Sequence, residues 1–264
     1  MTKTCRSEKR SLSCADVAQW LDKTLEPGAF SDHSNNGLQI DAWDGPVRKV
    51  AFGVDASARF FNEAAARGAR FAVCHHGVSW GGGIRSITGS AGEAVKAAIK
   101  KGVSLYASHL PLDAHPLYGN NFTMARALGL SKPAPAFTYC GRAIGCAGLL
   151  PRAERPEAFL ARLRETISPD AFFFSPPASP RIRKVGICSG AAGFAIDEAR
   201  AAGCDVLLTG EAGLEDWTAA ENTGQCVAAA GHYRTEKWGV RALARALAES
   251  TGLETEFIDF DLPW

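Results

Sequence analysis

The sequence predicts an α/β protein with two similar α/β regions, each a mainly parallel sheet covered by helices. Short apolar runs alternate with helical patterns along almost all of its 264 residues. This alternation is typical of strand–helix–strand units and parallel sheets. Apolar residues make up 46% of the chain and charged residues 22%. A chain of this length and hydrophobicity can bury a large core, which excludes disorder and removes any need for disulfide bonds.

Charge and hydropathy exclude several functional classes. Lys and Arg total 29 against 28 Asp and Glu, a net charge of +1, which argues against a nucleic-acid partner. No apolar run approaches the ~18 residues that a membrane span requires. The segment Met1–Arg10 is charged and no apolar run follows it, which argues against a signal peptide. We therefore expect a cytoplasmic protein without a membrane partner.

The eight cysteines are expected to be reduced thiols. The sequence has no Cys-x-x-Cys pair, so a thiolate zinc site is not expected. Some cysteines lie in apolar runs typical of buried strands, where a thiol behaves as a small hydrophobic group. These are Cys74, Cys188, Cys204 and Cys226.

The N-terminal region, residues 1–131, opens with a predicted amphipathic helix over Ser13–Leu25. Two Ala-rich helices follow, with Ser57 and Ser90 as expected N-caps and a glycine after each last turn. The predicted strands are Val50–Val54, Arg70–Cys74 and Val103–Ala107, and the later helices are Ser57–Arg67, Ser90–Lys101 and Asn120–Leu130.

The C-terminal region, residues 139–264, follows a proline-containing stretch, Ser131–Thr138, that is expected to be a linker. A second break is predicted at Ser175–Pro180, before strand–helix units resume. The predicted strands are Ala143–Leu150, Ala171–Phe174, Lys184–Cys188, Asp205–Leu208, Gln225–Ala230 and Thr255–Phe260. The predicted helices are Arg155–Ile167, Gly193–Ala202, Gly213–Asn222 and Thr235–Glu249.

Polar side chains are concentrated at four predicted strand ends, where open α/β sheets bind ligands. Five of the six histidines lie there, and the exception is His33 in an N-terminal loop. The four segments are Cys74–Gly77, Ser108–His115, Thr209–Glu211 and Gly231–Glu236.

Two histidine-containing pairs could bind metal ions. His232 and Glu236 are four positions apart, so on a helix they would share one face. The alternative is a helix start at which Glu236 only interacts favourably with the dipole. His75 and His76 are adjacent, and on a turning loop they could reach two neighbouring ions. The alternative is one buried histidine and one exposed histidine without a metal.

A third segment adds further candidate ligands. His109 and Asp113 flank Pro111 in a predicted loop, where Asp113 could be a ligand or a turn or helix cap. His115 is expected at the rim of this loop. Together the strand ends offer more nitrogen and oxygen ligands than one tetrahedral zinc needs. They therefore favour two ions of zinc, iron or manganese with a bridging carboxylate.

In this order, the segments resemble the family called GTP cyclohydrolase I type 2 homologues, or Nif-three-like dinuclear metal centre hexameric proteins. The resemblance covers nearly the whole chain, from Ser31–Ile40 to the closing helix. Its most specific pieces are His75-His76-Gly77, Ser108–Asn121, Thr209-Gly210-Glu211 and Ala230–Glu236.

The resemblance implies a Nif-three-like fold with two divalent metal ions per chain, held between the two regions. It implies a homohexamer, a trimer of dimers, that acts on a small-molecule substrate. His109 and Glu211 stand in the family motifs and could orient ligands through hydrogen bonds. The metal ligands that it implies are His75, His76, Asp113, His232 and Glu236, with Glu236 as the bridge.

The resemblance and the candidate ligands together favour a metal-dependent hydrolase of the GTP cyclohydrolase kind, in which a metal-activated water attacks the substrate. The predicted catalytic residues are His109, as general acid or base, and Glu236. A nucleotide substrate is one candidate, because the glycine-containing loop Ser189–Gly193 could hold an anion at a helix start, although it could equally be a tight turn.

Other functions stay open from the sequence. The chain could hydrolyse another substrate, such as a phosphoester or a cyclic amide. It could be a non-catalytic metal-binding or regulatory hexamer. It could also be an α/β enzyme without a metal, whose histidines only satisfy hydrogen bonds in loops.

Overall fold

The computed structural model describes residues 11–262, so Met1–Arg10, with Cys5, lies outside the described residues. The chain divides into two compact units, and each draws on separated stretches of sequence, unlike the predicted regions 1–131 and 139–264. Within the described residues, the N-terminal unit comprises residues 11–26, His33–Ser108 and Leu243–Ile258, and the C-terminal unit comprises Pro27–Asp32, His109–Ala242 and residues 259–262.

Helices and strands alternate along the described chain, as predicted. In order, they are α1 (Cys14–Leu25), β1 (Gly37–Ile40), β2 (Lys49–Asp55), α2 (Ala58–Ala66), β3 (Phe71–His76), α3 (Gly89–Lys101), β4 (Ser104–Ala107), α4 (Leu110–Asp113), α5 (Asn120–Ala127), β5 (Ser131–Tyr139), β6 (Arg142–Glu154), α6 (Pro156–Thr166), β7 (Phe172–Ser175), β8 (Ile182–Ile187), α7 (Ile196–Ala201), β9 (Val206–Thr209), α8 (Leu214–Thr223), β10 (Val227–Ala229), α9 (His232–Thr251) and β11 (Glu254–Phe257).

The sheet of the N-terminal unit has the strand order β1-β4-β3-β2-β11. Its pairings are parallel except that of β1 with β4, so it is mainly parallel as predicted. Strands β2 and β3 are apolar and almost wholly buried, as expected for a parallel sheet. Helix α1 begins at Cys14, one residue after the predicted start, and Ser13 is its N-cap, whose side chain accepts a hydrogen bond from Asp16 N–H in a capping box.

The sheet of the C-terminal unit has the order β5-β6-β8-β9-β10-β7 and is mixed. Strands β8, β9 and β10 pair in parallel, whereas the hairpin β5–β6 and the edge strand β7 add antiparallel pairings. The core of this unit includes the buried side chains of Met124, Phe159, Leu163 and Ile187. The carboxyl ends of β9 and β10 lead directly into the segments that carry Glu211 and His232.

The predicted linker Ser131–Thr138 is wrong, because these residues form most of β5. Proline was the reason for the linker prediction, since it cannot donate a ladder hydrogen bond. Among the described strands, β5 lies at the edge of its sheet and pairs with β6 alone. An edge strand tolerates proline, and here it holds both Pro133 and Pro135.

A helix start and a strand end also differ from the prediction. Helix α3 begins at Gly89 after the N-cap position Thr88, so Ser90 is not the N-cap. The last strand, β11, does not extend to Phe260, and it pairs in parallel with β2. Its place follows from a long-range partner, which local patterns do not encode.

The described cysteines are free thiols, and most of them are buried. Burial raises the pKa of the Cys74 and Cys188 thiols well above the ordinary value, so both stay protonated at neutral pH. They pack as small apolar groups, as predicted. Across residues 11–262, none of the helices combines the length and the apolar character that crossing a bilayer would take.

Candidate metal centre

In the N-terminal unit, a pair of histidines ends strand β3. The rings of His75 and His76 lie 4.7 Å apart, and each ring offers a ligand atom within 4.8 Å of the other's. His75 is fully buried and its Nδ1 lies 2.9 Å from the carbonyl oxygen of Ser108. His76 is half-buried and its Nδ1 lies 2.9 Å from Asp55 Oδ1. Asp55 reaches this ring because it is the register partner of His76 on β2.

In the C-terminal unit, His232 and Glu236 share one face at the start of α9, as their spacing predicts. His232 Nε2 lies 3.0 Å from Glu236 Oε1, and its Nδ1 lies 3.0 Å from Glu211 Oε1. Glu236 is buried, with 3% of its surface exposed. The helix begins at His232 and not at the predicted Thr235, so the pair occupies the first two turns.

The two carboxylates change the protonation of His232. Burial alone lowers the pKa of this imidazole, but its hydrogen bonds to Glu236 and Glu211 and their charges raise it to about 9. The imidazole is therefore protonated at neutral pH in the absence of a metal. A divalent cation that binds there must displace this proton, since only neutral imidazole is a ligand.

The candidate ligand Asp113 is the last residue of the short helix α4, where the sequence predicted a loop. Its carboxylate is buried and its Oδ1 accepts two hydrogen bonds. Asn120 Nδ2 donates at 2.8 Å and Ser189 Oγ donates at 3.0 Å. Asn120 is held in turn, because its Oδ1 accepts from Gly239 N–H of α9 at 2.6 Å. The orientation of Asp113 is thus fixed from two sides.

His109, the predicted general acid or base, precedes α4. Its Nδ1 lies 2.9 Å from Asp32 Oδ1, and Asp32 Oδ2 accepts from the Leu110 backbone N–H at 3.0 Å. The side chain of Asp32 is only 3% exposed. A buried carboxylate therefore orients the imidazole and favours the tautomer with the proton on Nδ1.

A shared geometry connects the four candidate histidines. Each has Nδ1 within 3.0 Å of an oxygen atom, a backbone carbonyl for His75 and a carboxylate for His76, His109 and His232. Nε2 is therefore the nitrogen through which each would bind an ion or exchange a proton. Metal-binding histidines characteristically donate their second N–H to such an oxygen. The residues thus fit a hard or borderline divalent cation.

The loop Ser189–Gly193 supports this arrangement and does not form an anion cradle. A Cβ on Gly190 would lie 2.4 Å from Glu236 Oε1 and 3.2 Å from His232 Nε2, so only glycine fits beside the pair. The loop N–H groups already donate within the unit: Ser189 to Asn121, Gly190 to Thr235 and Ala192 to Thr209. The tight-turn interpretation is the one that this geometry favours.

Two histidines have other surroundings. His115 Nδ1 accepts from the backbone N–H groups of Leu117 and Tyr118, and its ring stacks on Tyr118 at 4.8 Å. It closes the turn after α4, in agreement with its predicted place in the loop. His33 is exposed, and its carbonyl oxygen accepts from Gly81 N–H.

Comparison with known proteins decides the family. Residues 12–263 match Duf34/NIF3 (NGG1p interacting factor 3). The chain belongs to the Duf34/NIF3 family. This confirms the resemblance found in the sequence, and the match spans both units.

Relatives within the Duf34/NIF3 family are similar along almost their whole length. A protein of Deinococcus radiodurans called GTP cyclohydrolase 1 type 2 homolog is 40% identical, over 93% of this chain and 92% of its own. One of the same name from Archaeoglobus fulgidus is 38% identical, over 94% and 98%.

Solved structures of Duf34/NIF3-like proteins have the same fold. The protein ybgI, of unknown function by its own name, superposes with a TM-score of 0.89 at 30% identity, over 96% of this chain and all of that one. A Thermus thermophilus protein gives a TM-score of 0.85 at 30% identity with the same coverage. The predicted α/β class and Nif-three-like fold are confirmed.

Sequence analysis named Glu211, which contacts His232 Nδ1, as a residue that could orient a ligand, but it missed the other residues that orient the candidate ligands. Asp32 and Asp55 are far in sequence from the histidines that they hold, so no short motif connects each carboxylate with its histidine. Asn120 and Ser189 are distant in sequence, and only the fold brings their side chains to the carboxylate of Asp113. Two motifs of the family resemblance carried a signal, because Ser31–Ile40 contains Asp32 and Ser108–Asn121 contains Asn120.

Proposed function

We propose that this protein binds two divalent metal ions per chain and is a metal-dependent hydrolase. The ligands are His75 and His76 from the N-terminal unit, and Asp113, His232 and Glu236 from the C-terminal unit, with Glu236 as the bridging carboxylate. Zinc, iron and manganese suit this donor set of nitrogen and oxygen atoms.

One observation carries the proposal. Each candidate histidine has Nδ1 engaged by an oxygen atom, which is how proteins orient imidazoles for metals. His115, which lies outside the candidate ligand set, differs, because its Nδ1 accepts backbone hydrogen bonds. The buried, doubly held Asp113 adds a carboxylate whose orientation is set before any ion binds.

The chain's own residues supply the rest of the chemistry. A pair of bound cations provides a nucleophile at neutral pH by lowering the pKa of water from about 15.7 towards about 7. His109, oriented by Asp32, gives or takes a proton at Nε2 as general acid or base. Asp32 holds the imidazole so that Nε2 is the nitrogen left for this transfer.

The substrate that we propose is a small molecule that carries a nucleotide-like group, and the reaction is the hydrolytic opening of a purine ring with release of formate. The support is the name that several relatives carry, GTP cyclohydrolase 1 type 2 homolog. We further propose a homohexamer, which the family resemblance implies, and a cytoplasmic location, which the sequence predicts.

Metal analysis tests the proposal directly. Protein without a His-tag, purified without chelator, is analysed for metal per chain beside Glu236→Ala and His115→Ala. We expect about two equivalents in the wild type and in His115→Ala, and a large loss in Glu236→Ala, because a bridging ligand serves both ions. An equal metal content in all three proteins, or none after reconstitution with zinc, iron or manganese, would refute the ligand assignment.

Activity is tested separately on the metal-loaded protein. Formate release from GTP, lost in Glu236→Ala, supports the cyclohydrolase reaction. A screen of phosphoesters and cyclic amides distinguishes it from another hydrolase. Two bound metals without turnover on any of these substrates would indicate a metal-binding or regulatory assembly and refute the hydrolase.

A further inference from the structure

An exposed tryptophan lies beside a candidate metal ligand in the N-terminal unit. The indole of Trp80 is 6.0 Å from the imidazole of His76, ring centre to ring centre, and the rings are tilted by 44°. Trp80 keeps 38% of its surface exposed. An indole is a large apolar surface that proteins usually bury, so an exposed one beside a candidate site suggests a ligand contact.

The position of this indole is fixed. Trp80 Nε1 donates to the carbonyl oxygen of Gly77 at 3.0 Å, which orients the ring. The loop before it is held by Gln39, whose Oε1 accepts from the N–H groups of Val78 and Ser79 at 2.8 and 3.0 Å. Gly77 is required there, because a Cβ would lie 2.2 Å from Gln39 Oε1.

Polar groups border the indole. Asn35 Nδ2 donates to Ser79 Oγ at 2.7 Å, and both groups are exposed to solvent. Gln39 Nε2 donates to the Asn35 carbonyl oxygen at 2.8 Å, which ties the bordering loop to the loop of Trp80. Trp80 forms a β-bridge with Ser34, so this surface combines an exposed ring with the exposed polar side chains of the adjacent residues Asn35 and Ser79. A heteroaromatic ring has the same distribution, with an apolar face and hydrogen-bonding edges.

We infer that Trp80 is the surface on which a heteroaromatic ring of the substrate stacks, and that Gln39 positions it beside His76. The inference rests on the proposed function, since it assigns the substrate class of that metal site. Stacking of this kind discriminates a ring-bearing phosphate ester from a phosphate chain alone. Trp80 is thus a specificity-determining residue.

Binding measurements on the full-length, metal-loaded protein test the inference without requiring turnover. Calorimetry compares GTP with inorganic tripolyphosphate, which carries the phosphates without the ring. The variants are Trp80→Leu, which removes the aromatic face, and Trp80→Phe, which retains one. Trp217→Leu is the matched control, because Trp217 on α8 is a comparably exposed indole at 41%.

We expect Trp80→Leu to weaken GTP binding about tenfold or more and Trp80→Phe by much less, because base–aromatic stacking has that magnitude. Both Trp80 variants should bind tripolyphosphate and metal as the wild type does. Trp217→Leu should bind GTP with wild-type affinity.

Several results would overturn the inference. One is GTP binding by Trp80→Leu within about twofold of wild type, and another is an equal loss of affinity for GTP and for tripolyphosphate. A third is loss of metal in Trp80→Leu, which would show that Trp80 supports His76 and does not contact the substrate. Wild-type protein that holds two metals but binds GTP no better than tripolyphosphate would overturn it as well, while the metal site stands. Wild-type protein without metal would refute the proposed function itself.

Discussion

Asp32 holds His109 through a hydrogen bond of 2.9 Å between Oδ1 and Nδ1, while its second oxygen is occupied by the Leu110 backbone N–H. The carboxylate is buried, so this orientation does not depend on solvent. The pair has the geometry in which a carboxylate selects one imidazole tautomer.

The first prediction concerns this pair. Asp32→Asn should weaken the preference for the tautomer with the proton on Nδ1, because a neutral amide is a poorer acceptor than a carboxylate. It should lower any hydrolysis by the metal-loaded protein at least about tenfold, with the metal content unchanged. Nitrogen-resolved NMR of the imidazoles reports the tautomer. Asp44→Asn, at an exposed aspartate, is the control, and an unchanged His109 spectrum in Asp32→Asn would contradict the assignment.

The second prediction concerns the space beside Glu236. Gly190→Ala places a Cβ 2.4 Å from Glu236 Oε1, so the carboxylate must move and metal affinity should fall. Gly203→Ala is a matched control, because Gly203 has the same φ of +68° and nothing within 4 Å of its Cβ. Both variants carry the left-handed backbone cost of about 1–2 kcal/mol. Metal titration of the folded variants should therefore show a loss of affinity for Gly190→Ala only, and equal affinities would show that Gly190 does not limit the site.

The third prediction concerns Asn120, which connects Asp113 to α9. Asn120→Ala removes a donor to the buried carboxylate and the acceptor for Gly239 N–H. We expect a loss of about 2 kcal/mol in the free energy of unfolding, since buried groups are left without their partner. Denaturant unfolding measures it. Ser131→Ala removes an exposed hydrogen bond and should stay within about 0.5 kcal/mol of wild type.

The fourth prediction is a pH dependence at the edge of the N-terminal sheet. Hydrogen bonds from Lys49 and Arg67 lower the pKa of Glu256 on β11. A carboxyl whose pKa is lower in the folded state stabilises the protein above its unfolded pKa of about 4.3 and loses this contribution as the pH falls through the folded pKa. The carboxyl is partly exposed, so the contribution should be about 1 kcal/mol or less.

Unfolding experiments between about pH 7 and pH 3 check this dependence. Glu256→Gln should be less stable than wild type at neutral pH and should approach it in acid. Glu249→Gln, at an exposed glutamate of α9, should follow the wild-type curve. A constant difference between Glu256→Gln and wild type across the range would contradict the assignment.

Local patterns were sufficient wherever a residue's neighbours in sequence are also its neighbours in space. Periodicity and short-range hydrogen bonds account for the start of α1 beside Ser13 and for the apolar strands β2 and β3. They also account for the shared face of His232 and Glu236. The same information placed the candidate ligands at strand ends, because carboxyl ends of parallel strands carry the loops where ligands bind.

The sequence by itself therefore determined the fold class, the family and the residues that could bind metal. Only the tertiary structure decided that Ser131–Tyr139 is an edge strand, that β11 pairs with β2, and which oxygen atom holds each histidine. Strand neighbours and the partners of Nδ1 come from distant positions, such as Asp32 for His109. Such long-range contacts depend on packing and register, which no local pattern encodes.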